Sequence, residues 1–220
     1  MSFPKLIVIS LERSHERRAS IDSQMKNLDL EFEYFDAVDA NQLTDEDLKC
    51  YSEQEALLDF GSALTKGEIA CALSHYRVHK RIIDENLDRV IIFEDDIAIG
   101  EDFVGVLRSR DKFPKNSELI YYHHGKVKSF PWRRKRIYND YRIARYRVPT
   151  KKSKRSIISA AAYELTYSGA QKILKDAYPI KLPIDIHMGY IQRNGAITYG
   201  IEPCCSSISG FETTIPGRYD

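Results

Sequence analysis

Short apolar runs alternate along the chain with longer amphipathic stretches, and this alternation predicts strands and helices in turn. Residues 5–10 hold an unbroken run of β-branched and aliphatic residues, which is typical of a central strand buried on both faces. Ser14 then precedes an amphipathic stretch that ends near Leu28, so we expect a helix capped by Ser14. The run at 31–35 predicts a second strand. The chain therefore begins with a strand–helix–strand unit.

A long helix is predicted next, because Thr65 and Glu68 have the spacing of a capping box, in which each side chain accepts from the backbone of the other. Apolar residues recur at helical spacing from Ile69 onward, and the run at 89–93 predicts another buried strand. This order of elements predicts an α/β fold with a mostly parallel central sheet flanked by helices. Ligands of such folds bind at the carboxyl ends of the strands.

The second half of the chain continues the same pattern. Strands are expected at 119–122 and 156–165, followed by a helix over 168–177 with Ser168 as its cap. Internal repeats and Gly/Ser/Pro-rich linkers are absent from the sequence. We therefore predict a single domain over 1–220.

Composition agrees with a globular protein, since 43% of the 220 residues are hydrophobic and 30% are charged. No run approaches the roughly 20 apolar residues of a membrane span, and the first residues lack a signal-peptide core, so a cytoplasmic protein is expected. The four cysteines have neither C-x-x-C spacing nor an adjacent histidine ligand set. Reduced thiols are therefore expected, and a zinc site is not.

The formal net charge of +1 conceals a basic, insertion-like segment at 126–155, which holds 13 Lys or Arg residues and one acid, Asp140. Aromatic residues are interleaved with these cations, a pairing used by nucleic-acid grooves and by membrane-interface segments. Such asymmetry predicts a local anionic partner. The alternative is a solvated basic loop without a partner.

Three consecutive carboxylates, Glu94, Asp95 and Asp96, directly follow the run at 89–93. Carboxylates this close repel one another unless a cation lies among them. At an extended strand end, Glu94 and Asp96 share one face and Asp95 points away. Hard carboxylate oxygens suit Mn²⁺ or Mg²⁺, so Glu94 and Asp96 are predicted metal ligands. The alternative is that the three carboxylates only cap the following loop or helix.

Two common phosphate-binding motifs, G-x-x-x-x-G-K-[ST] and a G-x-G-x-x-G after the first strand, are absent from the sequence. Their absence argues against an ATPase and against a dehydrogenase. A nucleotide held through a metal-bridged diphosphate, without a glycine loop, is what a nucleotide-sugar transferase requires. In such enzymes the metal stabilises the departing nucleoside diphosphate.

Six motifs also occur in a characteristic order. They are IVISLER at 7–13, YFDA at 34–37, GEIACALSH at 67–75, FEDD at 93–96, SAAAY at 159–163 and LPID at 182–185. Together they extend over roughly residues 5–205 and resemble the landmarks of glycosyltransferase family 25. That family includes bacterial lipooligosaccharide galactosyl- and glucosyltransferases.

The resemblance implies a GT-A-like nucleotide-sugar-binding fold, a UDP-hexose donor that is usually UDP-galactose, and inversion at the anomeric carbon to give a β linkage. It also implies roles for residues at the matching positions. Ser10, Leu11, Arg13 and Arg17 match the donor-binding start of the family and would hold the uridine or its phosphates. The triplet matches the family's D-x-D metal motif. Asp95 is its less certain member as a metal ligand and is expected to contact the donor.

The helix motif of the family covers Gly67, Glu68 and His75, which we also assign to donor binding by resemblance. His75 and His79 are four residues apart and would share one helix face, but H-x-x-x-H lacks the glutamate of a zincin. A hydrogen bond from His75 to the donor or the backbone is therefore favoured over metal ligation. His79 is expected at a solvated position.

An inverting transfer needs a general base for the proton of the attacking sugar hydroxyl. Asp185 matches the Pro-x-Asp position of the family and is the expected base, with Glu202 and Glu164 in reserve. The rival explanation is that Asp185 only caps a helix that follows Pro183.

Together with the metal-site prediction, the resemblance implies an inverting, UDP-hexose-dependent glycosyltransferase for lipopolysaccharide biosynthesis, with galactose favoured over glucose and a glycolipid or oligosaccharide as acceptor. The basic segment would make peripheral contact with the anionic cytoplasmic face of the inner membrane, where each Lys or Arg contributes about 1 kcal/mol. Two alternatives stay open. An RNA-binding module would leave the acidic triplet without a purpose, so nucleic acid is not the expected partner. A metal-dependent phosphodiesterase would ordinarily need further acidic ligands.

Overall fold

The computed structural model describes residues 3–125 and 128–211. The helices are α1 His15–Asn27, α2 Asp45–Leu48, α3 Glu53–Asp59, α4 Lys66–Asp84, α5 Phe103–Arg108, α6 Tyr167–Leu174, α7 Ile184–Gly189 and α8 Ile191–Asn194. The strands are β1 Lys5–Ser10, β2 Glu33–Asp36, β3 Arg89–Glu94, β4 Ile97–Ile99, β5 Leu119–Tyr121, β6 Ser129–Tyr138, β7 Tyr141–Tyr146, β8 Ala162–Thr166, β9 Thr198–Glu202 and β10 Ser206–Ile208. None of these helices, within the residues described, has the length and apolarity that a bilayer span needs.

An eight-stranded sheet forms the centre of the molecule, in the order β2-β1-β3-β8-β5-β9-β7-β6. β1 is parallel to β2 and β3, and β5 is parallel to β9. β8 and β7 are the antiparallel members, with β8 between β3 and β5 and β7 between β9 and β6. All strands of the sheet except these two run in one direction, which confirms the mostly parallel α/β sheet predicted from the sequence.

Helices cover both faces of this sheet. Ile7 and Ile9 of β1 belong to the core packed against α4, α6 and α7, whereas Leu6 and Val8 belong to the core packed against α1 and α5. All four side chains are buried. Because successive strand residues point to opposite faces, burial on both sides explains why β1 shows no polar alternation.

Most of the predicted elements are confirmed, including the Thr65–Glu68 capping box at the start of α4. The predicted caps of the other two helices are wrong. Ser14 occupies the N-cap position of α1 but makes no side-chain cap bond. Thr166, and not Ser168, caps α6 by accepting a hydrogen bond from the backbone N–H of Gly169. The expected strand over 156–165 shortens to β8, which residues 156–161 approach as an irregular segment.

The basic segment contains an antiparallel hairpin of β6 and β7 at the edge of the sheet, with β6 outermost. Residues 126 and 127 of the segment lie outside the described residues. The sequence did not predict this hairpin, because its few buried apolar side chains, such as Ile137 and Ile143, are separated by cations. Charged side chains on an edge strand hinder its pairing with strands of other molecules.

Candidate functional site

The carboxyl ends of β1 and β3 lie side by side, because Ile9 is the register partner of Glu94 in this parallel pair. The hydroxyl of Ser10 donates to Oδ2 of Asp95 at 2.7 Å. Arg17 of α1 donates from Nη1 to Oδ1 of the same carboxylate at 2.8 Å. Both oxygens of Asp95 are thus engaged within the protein, and Asp95 ties α1 and β1 to the end of β3.

The expected alternation of the three carboxylates does not extend past Glu94. β3 ends at that residue, and Asp95 and Asp96 lie in the following turn. All three carboxylates therefore face one cavity instead of pointing alternately to opposite faces of the sheet.

Two residues one turn apart on α4 contact the carboxylate of Glu94. His75 Nε2 lies 3.0 Å from Glu94 Oε1, and the thiol of Cys71 donates to the same oxygen at 3.8 Å. Burial, followed by repulsion from Glu94, raises the pKa of the Cys71 thiol well above its usual range, which keeps the thiol a donor. One ligand atom from each of these three residues lies within 4.8 Å of the others, a grouping that the cysteine spacings in the sequence did not predict. Helical spacing of Cys71 and His75 was the missed signal.

A chain of hydrogen bonds continues from His75 into the core. The Tyr163 hydroxyl lies 2.8 Å from His75 Nδ1 and 2.7 Å from His79 Nε2. His79 is fully buried, so its expected solvated position is wrong. Burial, followed by the neighbouring histidines, lowers the pKa of His79 well below its usual value and keeps the ring neutral.

When His75 carries a single ring proton, one arrangement of donors and acceptors satisfies this chain. A carboxylate only accepts hydrogen bonds, so His75 donates from Nε2 to Glu94 and accepts at Nδ1 from the Tyr163 hydroxyl. The tyrosine oxygen then accepts from Nε2 of His79. The Nδ1 atom of His79 is the unprotonated end, and it has no hydrogen-bond partner among the described residues. The hydrogen bonds of Tyr163 and His79 in the core consequently set the position and the tautomer of His75.

Asp96 differs from its two neighbours. Its Oδ1 atom is buried and has no hydrogen-bond partner in the described part of the chain. Burial and then repulsion from Glu94 raise the pKa of Asp96 to about 6, against the opposing effect of Arg17. Ser209 holds the turn in place, because its backbone N–H and its hydroxyl both donate to the carbonyl of Asp96 at 2.6 Å.

The three carboxylates line a cavity of about 670 Å³ at the carboxyl ends of β1 and β3. Nine of the eleven residues predicted for the site line this cavity. They are Ser10, Leu11, Arg13, Arg17, Gly67, His75, Glu94, Asp95 and Asp96. The two others, Glu68 and Asp185, lie outside its lining.

Part of the cavity wall follows β2 and was not predicted. Asp39 accepts from Arg13 through both carboxylate oxygens, at 2.7 Å from Nε and 3.0 Å from Nη2. Ser74 of α4 accepts from the backbone N–H of Val38 at 2.9 Å and anchors the same loop. The available signal was the position of Asp39 after a strand parallel to β1, since carboxyl ends of parallel strands meet at one edge.

The amino end of α4 forms the facing wall, with Thr65, Lys66 and Gly67 in the lining. Glu68 accepts at Oε2 from the backbone N–H of Thr65 at 2.8 Å and from its hydroxyl at 3.1 Å. Glu68 therefore caps the helix, and its neighbours present the amino end of a 19-residue helix to the cavity. Such an end favours anions.

Asp185 lies in the first turn of α7, whose cap position is Pro183, so the simple N-cap explanation for Asp185 is wrong. Its Oδ1 accepts from the backbone N–H of Ile186 at 2.8 Å. Burial raises the pKa of Asp185 to about 6, and repulsion from Glu94 and Glu68 adds to the effect of burial. Asp185 is thus a half-buried carboxylate that interacts electrostatically with Glu94 of the cavity and with Glu68.

The reserve acids occupy different surroundings. Glu164 is fully buried and accepts from Arg89, Arg110 and the Tyr122 hydroxyl. Glu202 pairs with Arg134 of the edge hairpin at 3.0 Å. Neither lines the cavity. Glu164 in particular has the contacts of a structural ion pair.

Comparison with known proteins gives the family of the chain independently of the geometry of the site. The chain is 26% identical over 207 residues to procollagen galactosyltransferase 2 of Mus musculus, a match that covers 84% of this chain and 30% of that protein. It is 34% identical over 119 residues to the lipooligosaccharide biosynthesis protein lic2B of Haemophilus influenzae, covering 51% of this chain and 38% of that protein. It is also 35% identical over 108 residues to the inactive glycosyltransferase 25 family member 3 of Mus musculus, covering 47% and 18%.

The chain spans between 18% and 38% of the length of these three relatives. Across its own length, however, the family signature is almost continuous. The sequence profile of glycosyltransferase family 25 (LPS biosynthesis protein) matches residues 3–188, which include β1, α4, the acidic triplet and Asp185. The chain belongs to glycosyltransferase family 25.

Proposed function

We propose that this protein transfers a hexose from a UDP-sugar to a hydroxyl group of a lipooligosaccharide or lipopolysaccharide glycan, with inversion to a β linkage. Galactose is favoured over glucose as the transferred sugar. The observation that carries the proposal is the buried Oδ1 atom of Asp96, which has no hydrogen-bond partner among the described residues and belongs to a cavity bounded by a helix amino end. Two relatives, a procollagen galactosyltransferase and a lipooligosaccharide biosynthesis protein, agree with it by name.

The donor half of the proposal uses the walls of the cavity. Ser10, Leu11 and Arg13 would hold the uridine or its phosphates at the end of β1. Lys66 and Gly67, at the amino end of α4, would receive the diphosphate, because the amino end of a helix and a cation both favour negative charge there. Arg17 is already paired with Asp95, so it would orient the triplet and contribute its charge at short range.

A divalent cation, Mn²⁺ or Mg²⁺, is part of the proposal and fits the residues present. Glu94 and Asp96 would hold it, because Asp96 offers a buried oxygen without a partner in the described part of the chain, and carboxylates suit these ions. When bound, the ion supplies positive charge to the leaving diphosphate, so that no acid need protonate it. His75 and Cys71 keep Glu94 oriented toward the cavity.

Asp185 is the proposed general base. As the acceptor hydroxyl attacks the anomeric carbon, its proton passes to the Asp185 carboxylate, the new glycosidic bond forms, and the bond to the diphosphate breaks. A pKa near 6 makes Asp185 a stronger base than an ordinary aspartate while leaving it mostly ionised at neutral pH.

The acceptor half of the proposal involves the basic segment. The edge hairpin carries exposed cations and the exposed Trp132, a composition suited to peripheral contact with an anionic lipid surface. A cytoplasmic location with such contact at the inner membrane would bring the cavity to a glycolipid acceptor. Vesicle sedimentation with and without anionic lipid tests this part separately.

The proposal is tested by measuring UDP release with a panel of UDP-sugars, in Mn²⁺ and in chelator, with a glycan acceptor present. We expect metal-dependent release with UDP-galactose, and its loss in Asp96→Asn. Asp29→Asn is the matched control, because it removes the same charge from an exposed left-handed position that Asn tolerates. Full release in chelator, or equal release by Asp96→Asn and the control, contradicts the proposed metal role. Hydrolysis of phosphodiesters without any sugar donor would favour a phosphodiesterase instead.

A further inference from the structure

A second cavity, of about 870 Å³, opens between the chain that follows β7 and the carboxyl end of α7. Among the residues that the structure describes, its lining includes four cationic side chains, Lys128, Arg147, Lys152 and Arg155, and no carboxylate. All four residues are exposed. The carboxylate ion pairs of the surrounding segment are made by Arg134 and Arg136, which lie outside this cavity. The four cations therefore face one space without a countercharge among the described residues.

The donors around this space suit a phosphate group. Two guanidinium groups offer forked N–H donors that match phosphate oxygens, and two ammonium groups add charge. Thr150 and Ser153 contribute hydroxyl-bearing side chains to the same lining. The four cations repel one another across the cavity. An anion bound among them would be attracted to each cation and would offset this repulsion.

α7 is one connection between this basic cavity and the candidate active site. Gly189, at the end of the helix, lines the basic cavity, and Asp185 lies four residues earlier in the same helix. Four helical residues rise about 6 Å. A Cβ atom at Gly189 would lie 1.9 Å from the carbonyl oxygen of Ile157, so only glycine permits this close packing of α7 on residues 156–161.

Residues 156–161 form the other connection. Ser156 and Ile157 line the basic cavity, and Ala161 accepts a hydrogen bond from the backbone N–H of Glu94 at 2.9 Å. Four residues of fully extended chain between Ile157 and Ala161 span at most about 14 Å. The basic cavity thus lies within the length of a short oligosaccharide from both Glu94 and Asp185.

From these contacts we infer that the basic cavity binds a phosphate group carried by the acceptor glycan, which sets the acceptor hydroxyl against Asp185. The identity of the occupant as an acceptor rests on the proposed glycosyl transfer, whereas the phosphate site itself does not. Phosphate on a lipid headgroup has the same chemistry, and the experiment separates the two sources.

The test compares two double variants that remove equal charge from adjacent positions. Lys152→Gln/Arg155→Gln removes two cations of the cavity, and Lys151→Gln/Lys154→Gln removes two cations of the same segment outside its lining. Inorganic phosphate is titrated into each ¹⁵N-labelled protein, without donor or metal, and the backbone amide shifts of residues 147–157 are followed. We expect saturable shifts in the wild type and the control, and about tenfold weaker binding in the cavity variant.

Kinetics and vesicles then identify the source of the phosphate. In the cavity variant, the KM for a phosphorylated acceptor should rise about tenfold above the wild-type value. The KM values for a dephosphorylated acceptor and for the donor should stay unchanged. Vesicles with equal parts of phosphatidylcholine and phosphatidylglycerol should bind both double variants alike. Absent or non-saturable phosphate shifts, or equal weakening in both variants, would overturn the inference. Vesicle binding lost in the cavity variant alone would overturn it in favour of a lipid headgroup. Because the titration involves no turnover, it can fail or succeed independently of UDP release.

Discussion

The Nε2 atom of His75 lies 3.0 Å from Oε1 of Glu94, so a fully buried histidine of α4 supports a carboxylate at the end of β3. Loss of such a supporting group commonly lowers metal affinity or activity about 10- to 100-fold. We expect His75→Ala to weaken Mn²⁺ binding by this factor and to lower the free energy of unfolding by about 2–4 kcal/mol. Mn²⁺ titration and urea denaturation measure the two effects, with the exposed His15→Ala as control. Unchanged Mn²⁺ affinity in a folded His75→Ala protein would mean that Glu94 needs no such support.

The Tyr163 hydroxyl bridges two buried histidines, and its removal should destabilise the fold. Tyr163→Phe leaves His75 Nδ1 and His79 Nε2 without their shared partner. An unsatisfied buried polar group costs about 1–3 kcal/mol, so the free energy of unfolding should fall by that amount. Imidazole ¹⁵N shifts should report the Nε2–H tautomer for His75 in the wild type. The opposite tautomer there would contradict the proposed direction of the hydrogen bonds.

A divalent cation should stabilise the protein more at pH 7 than at pH 5. In the metal-free protein the pKa of Asp96 rises from its ordinary 3.8 to about 6. The folded state therefore holds this proton more tightly than the unfolded state. The resulting stability is fully present below about pH 3.8 and is lost as the pH rises through about 6. At neutral pH the charged cluster destabilises the metal-free fold, and a bound cation removes that penalty.

Thermal unfolding at pH 5 and 7, with Mn²⁺ or chelator, measures this difference. Asp96→Asn should raise the stability of the metal-free protein at pH 7 by about 1–2 kcal/mol and abolish the Mn²⁺-dependent rise in Tm. Asp29→Asn should do neither. An equal Mn²⁺ effect at both pH values would argue against a cation site at the triplet.

The pH dependence of turnover should follow Asp185. Because its pKa is raised to about 6, kcat/KM should rise with pH and then level off, with the midpoint of the rise at or below about pH 6. A cation bound near Glu94 would lower this midpoint. Asp185→Asn should lower kcat by about 10²–10⁴-fold with little change in the Kd for UDP, since a base acts on the acceptor and not on the nucleotide. Steady-state kinetics and calorimetry with UDP give the two values. Wild-type kcat in the Asn variant would remove Asp185 from this role.

The sequence predicted the frame of the site well, because that frame depends on local signals. The apolar runs of β1 and β3 and the Thr65–Glu68 capping box each specify an element without reference to distant residues. Once those elements alternate, the carboxyl ends of parallel strands must meet, and nine of the eleven predicted site residues consequently line one cavity.

The supporting contacts could not be predicted, since they depend on which strands become neighbours. Tyr163 reaches His75 and His79 only because β8 enters the sheet antiparallel to β3, an arrangement that no local pattern specifies. His79 looked solvated because its polarity masked a buried helix face. The β6–β7 hairpin was missed for a related reason, as its cations hide the sparse apolar positions that hold it to β9.

Glu164 was a reserve candidate for the general base, but in the structure it is a buried partner of Arg89 and Arg110. Substituting Glu164 therefore tests whether this carboxylate stabilises the fold or acts in the reaction. Glu164→Gln removes a charge that two guanidinium groups share within the core. Breaking one side of a buried ion pair typically costs about 3–5 kcal/mol. Glu202→Gln, which breaks the more exposed pair with Arg134, should cost less than about 1 kcal/mol. Urea denaturation measures both costs, and kcat per folded molecule should stay at the wild-type value in both variants. A reduced kcat in folded Glu164→Gln, with its stability intact, would instead mean that the β8 carboxylate acts in the reaction and that Asp185 has a competitor.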